Sequence, residues 1–494
     1  MKEKIHKLLL SCLAIMLGMT TVSACDRGAV EPSGKTDDSR VLQISPLSMQ
    51  VGYEASECTF KLSVNFDYDV NVNVDWVNVK SASSSELVLE IGQNTSPVSR
   101  EAELKVVDRS DRYYFRTVTI VQDKNPVRKV KLSIVDKNAT EQTKALYANL
   151  WKIAEDGFMF GHHDDLWYGR YWYNEPGGSD TKAVCGDYPA VFSVDFASLM
   201  DNRYKSDSKE NEIRRRVILE ARERGEIITA CAHLNNPLTI IGAGSYPSGS
   251  SWDNTKCIDQ ILKEGTEVRK RYMEWLDRLA DFANSLRDKD GNLIPILFRP
   301  YHECTQSWSW WGTSACTSKE FVQLWRWTIT YLRDTRNVHN FLYAVSPQMD
   351  GDYGENARER LLTRWPGDDY VDFLGMDCYH GLNYNAFATN IEAMQKLSVE
   401  KMKPCGVTET GAEAFRNNDY WTRYILDPAK GKHLSMVVMW RNKYVSSESD
   451  THWFSVYPGH PSEDDFRTFY EDEATIFSAD LPDMYTMPDN YEVE

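Results

Sequence analysis

Residues 293–312 read LIPILFRPYHECTQSWSWWG. The first half is an apolar run of strand length, and it breaks off in His302-Glu303 ahead of three tryptophans within four residues. A carboxylate beside so much aromatic surface is costly to ionise, so a use for Glu303 is expected. Seven other segments share the pattern of a short apolar run with polar or charged residues at its end. They are 157–163 (GFMFGHH), 190–195 (AVFSVD), 226–233 (EIITACAH), 340–347 (NFLYAVSP), 371–379 (VDFLGMDCY), 404–411 (PCGVTETG) and 434–441 (LSMVVMWR). Each reads as a strand.

Helical patterns separate them. Residues 140–154 form one. In 268–286, Val268, Tyr272, Trp275, Leu276, Leu279, Phe282, Ala283 and Leu286 fall on one face; another helix groups Phe321, Leu324, Trp325, Thr328 and Leu332. Eight apolar strands alternating with helices predict an α/β fold, a (β/α)8 TIM barrel with enlarged loops over residues 131–494. A doubly wound open sheet is the alternative, but no Gly-rich phosphate loop follows any strand. Upstream, residues 41–123 hold short runs alternating at period two (VLQIS, CTFKLSVN, VNVNVDWVNV, ELVLEIG, EAELKVVD, FRTVTIVQ) between Ser, Gly, Asn and Asp clusters. Six or seven such strands predict a small antiparallel β-sandwich.

The N-terminus is an export signal: basic MKEKIHK, then apolar LLLSCLAIMLGMTTV, then small residues. Val22-Ser23-Ala24-Cys25 resembles a bacterial lipobox, which implies a signal peptide over 1–24, lipidation at Cys25 and a flexible tether over 25–40. A formal net charge of −17 disfavours nucleic acid or an anionic membrane surface as partner. With 15 Trp and 26 Tyr the chain is rich in flat apolar faces with polar edges, which suit sugar stacking as well as core packing. The eight cysteines beyond the signal contain no C-x-x-C pair, against zinc-ribbon and thioredoxin readings.

A barrel places its active site at the C-terminal ends of its strands. Those ends carry His162-His163-Asp164-Asp165, Asp195, His233, His302-Glu303, Tyr379-His380, Glu409 and Trp440-Arg441. Glu303 and Glu409 close the fourth and seventh strands and can face each other across the mouth. Two carboxylates flanking an aromatic cleft suit glycosidic cleavage, one as proton donor and the other as nucleophile. Either could instead be a structural ion pair. His162, His163, Asp164 and Asp165 with His233 and His302 could form a metal site, although H-H-D-D matches no recognised ligand spacing. Residues 302 and 304 would share a strand face, so a His302–Cys304 thiol nucleophile is geometrically possible. No G-x-S-x-G elbow supports a serine hydrolase.

FRPYHECTQSWSWWG (298–312) and VTETG (407–411) resemble the acid/base and nucleophile segments of glycoside hydrolase family 26, over about residues 131–494. The resemblance implies a retaining barrel enzyme, in most members an endo-β-1,4-mannanase, with Glu303 as acid/base and Glu409 as nucleophile. It also implies that His233, His302 and Trp308 shape the −1 subsite and that Tyr379 hydrogen-bonds the nucleophile. Trp440 would be a sugar platform, and Arg441 would reach the −2 side. Cys304 and Gln306 depart from the pattern, and 170–175 (RYWYNE) does not align with it. The sandwich resembles a BACON-type domain over residues 41–123, read as a spacer. The expectation is a monomeric lipoprotein, at the outer membrane or surface of a Gram-negative bacterium, acting on β-mannan without a cofactor. Mixed-linkage β-glucan or β-1,3-xylan as substrate, or a catalytically silent glycan-binding role, are the alternatives.

Overall fold

The computed structural model describes residues 40–126, 129–240, 249–444 and 451–494. The predicted signal, Cys25 and the tether up to residue 39 lie outside the described residues. The chain divides into two compact units, Met1–Pro126 and Val127–Glu494.

The described residues of the first unit form eight strands: β1 Leu42–Ser45, β2 Ser48–Val51, β3 Ser56–Val64, β4 Tyr68–Val72, β5 Val77–Ala82, β6 Glu86–Ile91, β7 Arg100–Asp108 and β8 Phe115–Gln122. They form two four-stranded sheets, β1-β3-β6-β5 and β2-β8-β7-β4. Period-two alternation sets the core: Phe60, Leu87, Leu89, Leu104, Val106, Val118 and Ile120 point inward and are buried. Three expectations need correcting. Eight strands form where six or seven are expected. VNVNVDWVNV is not one strand; it bends at residues 73–76, and β4 and β5 join different sheets. The Asn73 side chain accepts from the Glu103 amide at 3.0 Å at that bend. The sandwich is also not wholly antiparallel, because β2 runs parallel to β8. Pro46 lies between β1 and β2, and the chain changes sheets there.

In the second unit a short parallel pair, β9 Val130–Leu132 with β19 Tyr491–Val493, joins its two chain ends. Then come the barrel strands, β10 Phe158–His163, β11 Val191–Asp195, β12 Ile227–Cys231, β13 Ile296–Arg299, β14 Phe341–Val345, β15 Phe373–Cys378, β16 Cys405–Thr410 and β17 Met436–Met439. Each pairs in parallel with the next, and β10 pairs with both β11 and β17, so the sheet closes. All eight predicted strands are present. A two-residue strand, β18 Thr475–Ile476, also pairs with β10.

The predicted helices appear as Glu141–Ile153, Glu267–Ser285 and Ser318–Thr330. The second buries Tyr272, Trp275, Leu276, Leu279 and Phe282, each large side chain contributing roughly 1.5–3 kcal/mol. The third opens on a capping box between Thr317 and Glu320. One boundary matters for the site: β13 ends at Arg299, so Glu303 lies beyond the strand rather than at its end.

Candidate active site

Glu409 is carried by β16, which is bulged. Met376 pairs with Val407 but Asp377 pairs with Glu409, so Thr408 is an extra residue on β16. A bulge re-aims the side chains that follow it. The Thr408 hydroxyl is spent internally, donating to the Met376 carbonyl at 3.1 Å and to Asp377 Oδ1 at 2.9 Å. Glu409 is buried, and each of its oxygens is held. Arg299 Nη2 donates to Oε2 at 2.5 Å, and the Tyr379 hydroxyl donates to Oε1 at 2.6 Å. Arg299 is itself buried and also pairs with Asp377, which accepts from Ser346 Oγ at 2.9 Å. Burial alone would raise the Glu409 carboxyl, but Arg299, His233 and the Tyr379 hydroxyl outweigh it and hold the group below its ordinary value.

Glu303 sits in contrasting surroundings. Past Arg299 the backbone turns sharply, with Tyr301 at φ 51° and Glu303 at φ 53°, in the left-handed region that side chains disfavour. The turn is held from several sides. The Glu303 amide donates to the Ser346 carbonyl at 2.7 Å, Trp311 Nε1 donates to the His302 carbonyl at 2.8 Å, and the Tyr301 hydroxyl bonds Tyr272 and Thr328. Glu303 is half-buried, and no cation pairs with its carboxylate among the described residues. Burial raises it well above the usual carboxylate range, and the charges of Glu409, Asp377 and Asp350 add to the rise. Asp350 accepts from the Tyr379 amide at 2.7 Å, which fixes it beside the pair.

The tryptophans divide. Trp310 and Trp311 are buried in the barrel core and brace the turn, Trp310 Nε1 donating to the Leu234 carbonyl at 2.9 Å. Only Trp308 of the three is accessible, and its ring lies 5.9 Å from Trp252 at 27°. Gln306 shapes this loop by accepting from the Trp308 and Ser309 amides and donating to Ser309 Oγ at 2.7 Å. Cys304 is buried in the core, its thiol pushed up to about 12 by burial. The expected shared face of residues 302 and 304 is therefore absent: the strand stops at Arg299, and left-handed residues replace the alternation.

The histidines form a relay beside the mouth. His233 Nδ1 lies 2.5 Å from Asp195 Oδ2, and His233 Nε2 lies 3.0 Å from His302 Nε2. Burial disfavours the charged form of both rings. Asp195 reverses this for His233, which is raised, whereas His302 is lowered well below its usual value by burial and by the His233 charge. His163 bonds Ser193 Oγ at 2.7 Å, lies 4.3 Å from the Trp440 ring, and is lowered to about 3 by burial. Arg441 Nη1 donates to the Tyr168 hydroxyl at 2.6 Å, which donates to Asp164 Oδ2 at 2.5 Å. His162 and Asp165, 3.0 Å apart, serve the loop instead: Asp165 accepts from Ser179 Oγ and the Asp180 amide.

His162, His163, Asp164 and Asp165 thus divide between two sets of partners and do not converge as metal ligands. Asp195, Cys231 and His233 do approach one another, but Asp195 and His233 are already bonded and burial raises the Cys231 thiol. Of the residues singled out in the sequence, Glu303, Glu409, His233, His302, Tyr379, Trp440 and Arg441 cluster at the C-terminal mouth through these contacts, with Trp308 on the adjoining loop. Arg299, Asp377, Asp350 and Tyr168 were missed. Arg299 and Asp377 carried a signal, since each is a charge inside an otherwise apolar strand and such a charge demands a partner.

A closed parallel barrel with two glutamates at one mouth, one clamped by a cation and the other without one, has the equipment of a hydrolase using a proton donor and a carboxylate nucleophile. Residues 135–414 match glycosyl hydrolase family 26, and the chain belongs to that family. A GH26 beta-mannanase from Bacteroides ovatus is 36% identical with a TM-score of 0.63, covering 71% of this chain and 98% of that one. The mannan endo-1,4-beta-mannosidase of Bifidobacterium adolescentis is 27% identical over 374 residues, 70% of this chain and 36% of that protein. Mannan endo-1,4-beta-mannosidase A and B of Caldalkalibacillus mannanilyticus is 23% identical, over 50% of this chain and 47% of that protein. The chain thus spans about a third to a half of these two curated relatives.

Proposed function

We propose that this protein is a retaining endo-β-1,4-mannanase acting on β-mannan, galactomannan or glucomannan. The observation that carries the reading is the opposed state of the two glutamates. Glu409, kept ionised by Arg299 and Tyr379, attacks the anomeric carbon, while Glu303, kept protonated by burial and neighbouring acids, donates its proton to the leaving oxygen. The glycosyl ester on Glu409 is then hydrolysed by water that Glu303 deprotonates. The relatives named mannan endo-1,4-beta-mannosidase support the substrate class.

His233, His302 and Trp308 shape the −1 subsite in this reading, Trp440 offers a sugar platform, and Arg441 reaches toward −2. Export, lipidation at Cys25, surface display, a monomeric state and a BACON-type spacer over residues 41–123 complete it. A reducing-sugar assay on galactomannan, glucomannan, lichenan and β-1,3-xylan tests the reading. Release of internal oligosaccharides from the mannans is expected; turnover of lichenan or xylan alone, or of none, overturns it. Cys25→Ser is expected to move the protein from the membrane to the soluble fraction.

A further inference from the structure

The stretch 170–175, which resisted alignment, holds a row of exposed rings that the proposed chemistry does not use. Tyr171, Tyr173, Tyr204, Trp252 and Tyr444 are the exposed aromatic residues described in the barrel unit. Three of the five lie on the loops after β10 and β17, the two loops that also carry Tyr168 and Arg441. From Arg441 the rings run outward in order. Arg441 binds the Tyr168 hydroxyl at 2.6 Å, the Tyr168 ring stacks on Tyr173 at 6.5 Å and 16°, and Tyr173 meets Tyr444 at 5.8 Å and 50°. Tyr168 is half-buried, whereas Tyr173 and Tyr444 are 44% and 40% exposed.

The loop that carries Tyr168 and Tyr173 is held in place. Tyr168 and Tyr173 form an antiparallel bridge, and the Asn174 amide donates to the Trp167 carbonyl at 2.7 Å. Arg216 Nη2 donates to Asn174 Oδ1 at 2.8 Å, and Trp172 Nε1 donates to Asp180 Oδ1 at 2.9 Å. Asn442 Nδ2 donates to the other oxygen of buried Asp180 at 2.9 Å, tying the β17 loop to the β10 loop. Side chains fixed this way lose little freedom when a ligand arrives. An exposed aromatic row on a braced loop suits the apolar face of a sugar ring, with the phenol hydroxyls available to its edge.

We infer that Tyr173 and Tyr444 form a distal sugar-binding site beyond Arg441, which takes a β-linked hexopyranose unit on the far side of the −2 position. The site deepens the mannanase reading and rests on it, because its occupant is the substrate chain itself. Its function is to favour long chains over short ones.

The test compares kcat/KM on mannohexaose and mannotriose for the wild type, Tyr173→Ala, Tyr444→Ala, the double variant and Tyr173→Phe. The hexaose-to-triose ratio is expected to fall about tenfold in the double variant, less in each single one, and to survive in Tyr173→Phe. An unchanged ratio in the double variant, or equal losses on both substrates, overturns the site. The comparison is made on the oligosaccharide series that the wild type hydrolyses. Failure of the wild type on mannan oligosaccharides therefore counts against the mannanase reading, and an unchanged length preference counts against this site alone.

Discussion

Glu409 sits on a bulged strand between a guanidinium and a phenol, whereas Glu303 sits on a left-handed turn beyond a strand, among acids and tryptophans. Both are carboxylic acids at one barrel mouth, so their side-chain chemistry is identical. The support behind each one differs. Behind Glu409, Arg299 bridges two buried carboxylates, and Ser346 and Thr408 satisfy the second of them. Behind Glu303 stand the uncharged side chains of Trp310, Trp311, Tyr301 and Gln306, with no cation on the carboxylate itself among the described residues. A polar network favours the charged form of one group, and burial with nearby negative charge favours the neutral form of the other.

The largest test of that contrast is deletion. Glu409→Ala is expected to lower kcat on mannan by about 10⁴-fold or more. Glu303→Ala should lower kcat/KM, which reports formation of the glycosyl ester, about 10²–10⁴-fold on the polysaccharide, yet far less on an aryl glycoside whose leaving group needs no proton. Equal losses on both substrates in the Glu303 variant would break the assignment of roles.

Next in size is the Tyr379 hydroxyl. Tyr379→Phe removes one hydrogen bond to the Glu409 carboxylate and should lower kcat about 10–100-fold. Because that bond helps hold Glu409 down, the acidic limb of the pH–rate profile should also move to higher pH. A profile that keeps its acidic limb would remove Tyr379 from this role.

The smallest effect concerns stability. The folded-state pKa of Glu303 is raised above its unfolded value, so the folded protein holds that proton more tightly than the unfolded chain does. Stability from this group is full below the unfolded pKa and is lost as pH rises through the folded one. Glu303→Gln stays neutral throughout, so its Tm should match the wild type in acid and exceed it increasingly toward alkaline pH. A Tm difference independent of pH would contradict the raised pKa.

Much of this was legible in the sequence. Eight apolar runs gave eight barrel strands, because parallel strands buried on both faces carry an unbroken apolar signal. Their ends named Glu303, Glu409, His233, Tyr379 and Arg441. What stayed hidden was local geometry. The Val-Asn repeat at 70–79 looks continuous, yet it bends between sheets, and period-two alternation cannot report a bend. Likewise the apolar run of FRPYHEC masked its own stop signal: Pro300, with no amide hydrogen for the ladder, ends the strand at Arg299, which moves Cys304 into the core and sends Glu303 onto a turn. Composition leaves Trp310 and Trp311 open between sugar stacking and core packing; burial separates a brace from a binding face. Arg299 and Asp377 were overlooked although each stood as a lone charge in an apolar strand.

Azide rescue tests the division of labour between the two glutamates most directly. Each alanine variant is supplied with an activated β-mannosyl substrate and sodium azide, and the configuration of the mannosyl azide is read by NMR. With Glu303→Ala, azide replaces water on the ester at Glu409, and the product is expected to be β-configured. With Glu409→Ala, azide attacks from the vacated nucleophile side, and an α-configured azide is expected. The reverse pair of configurations would contradict the account.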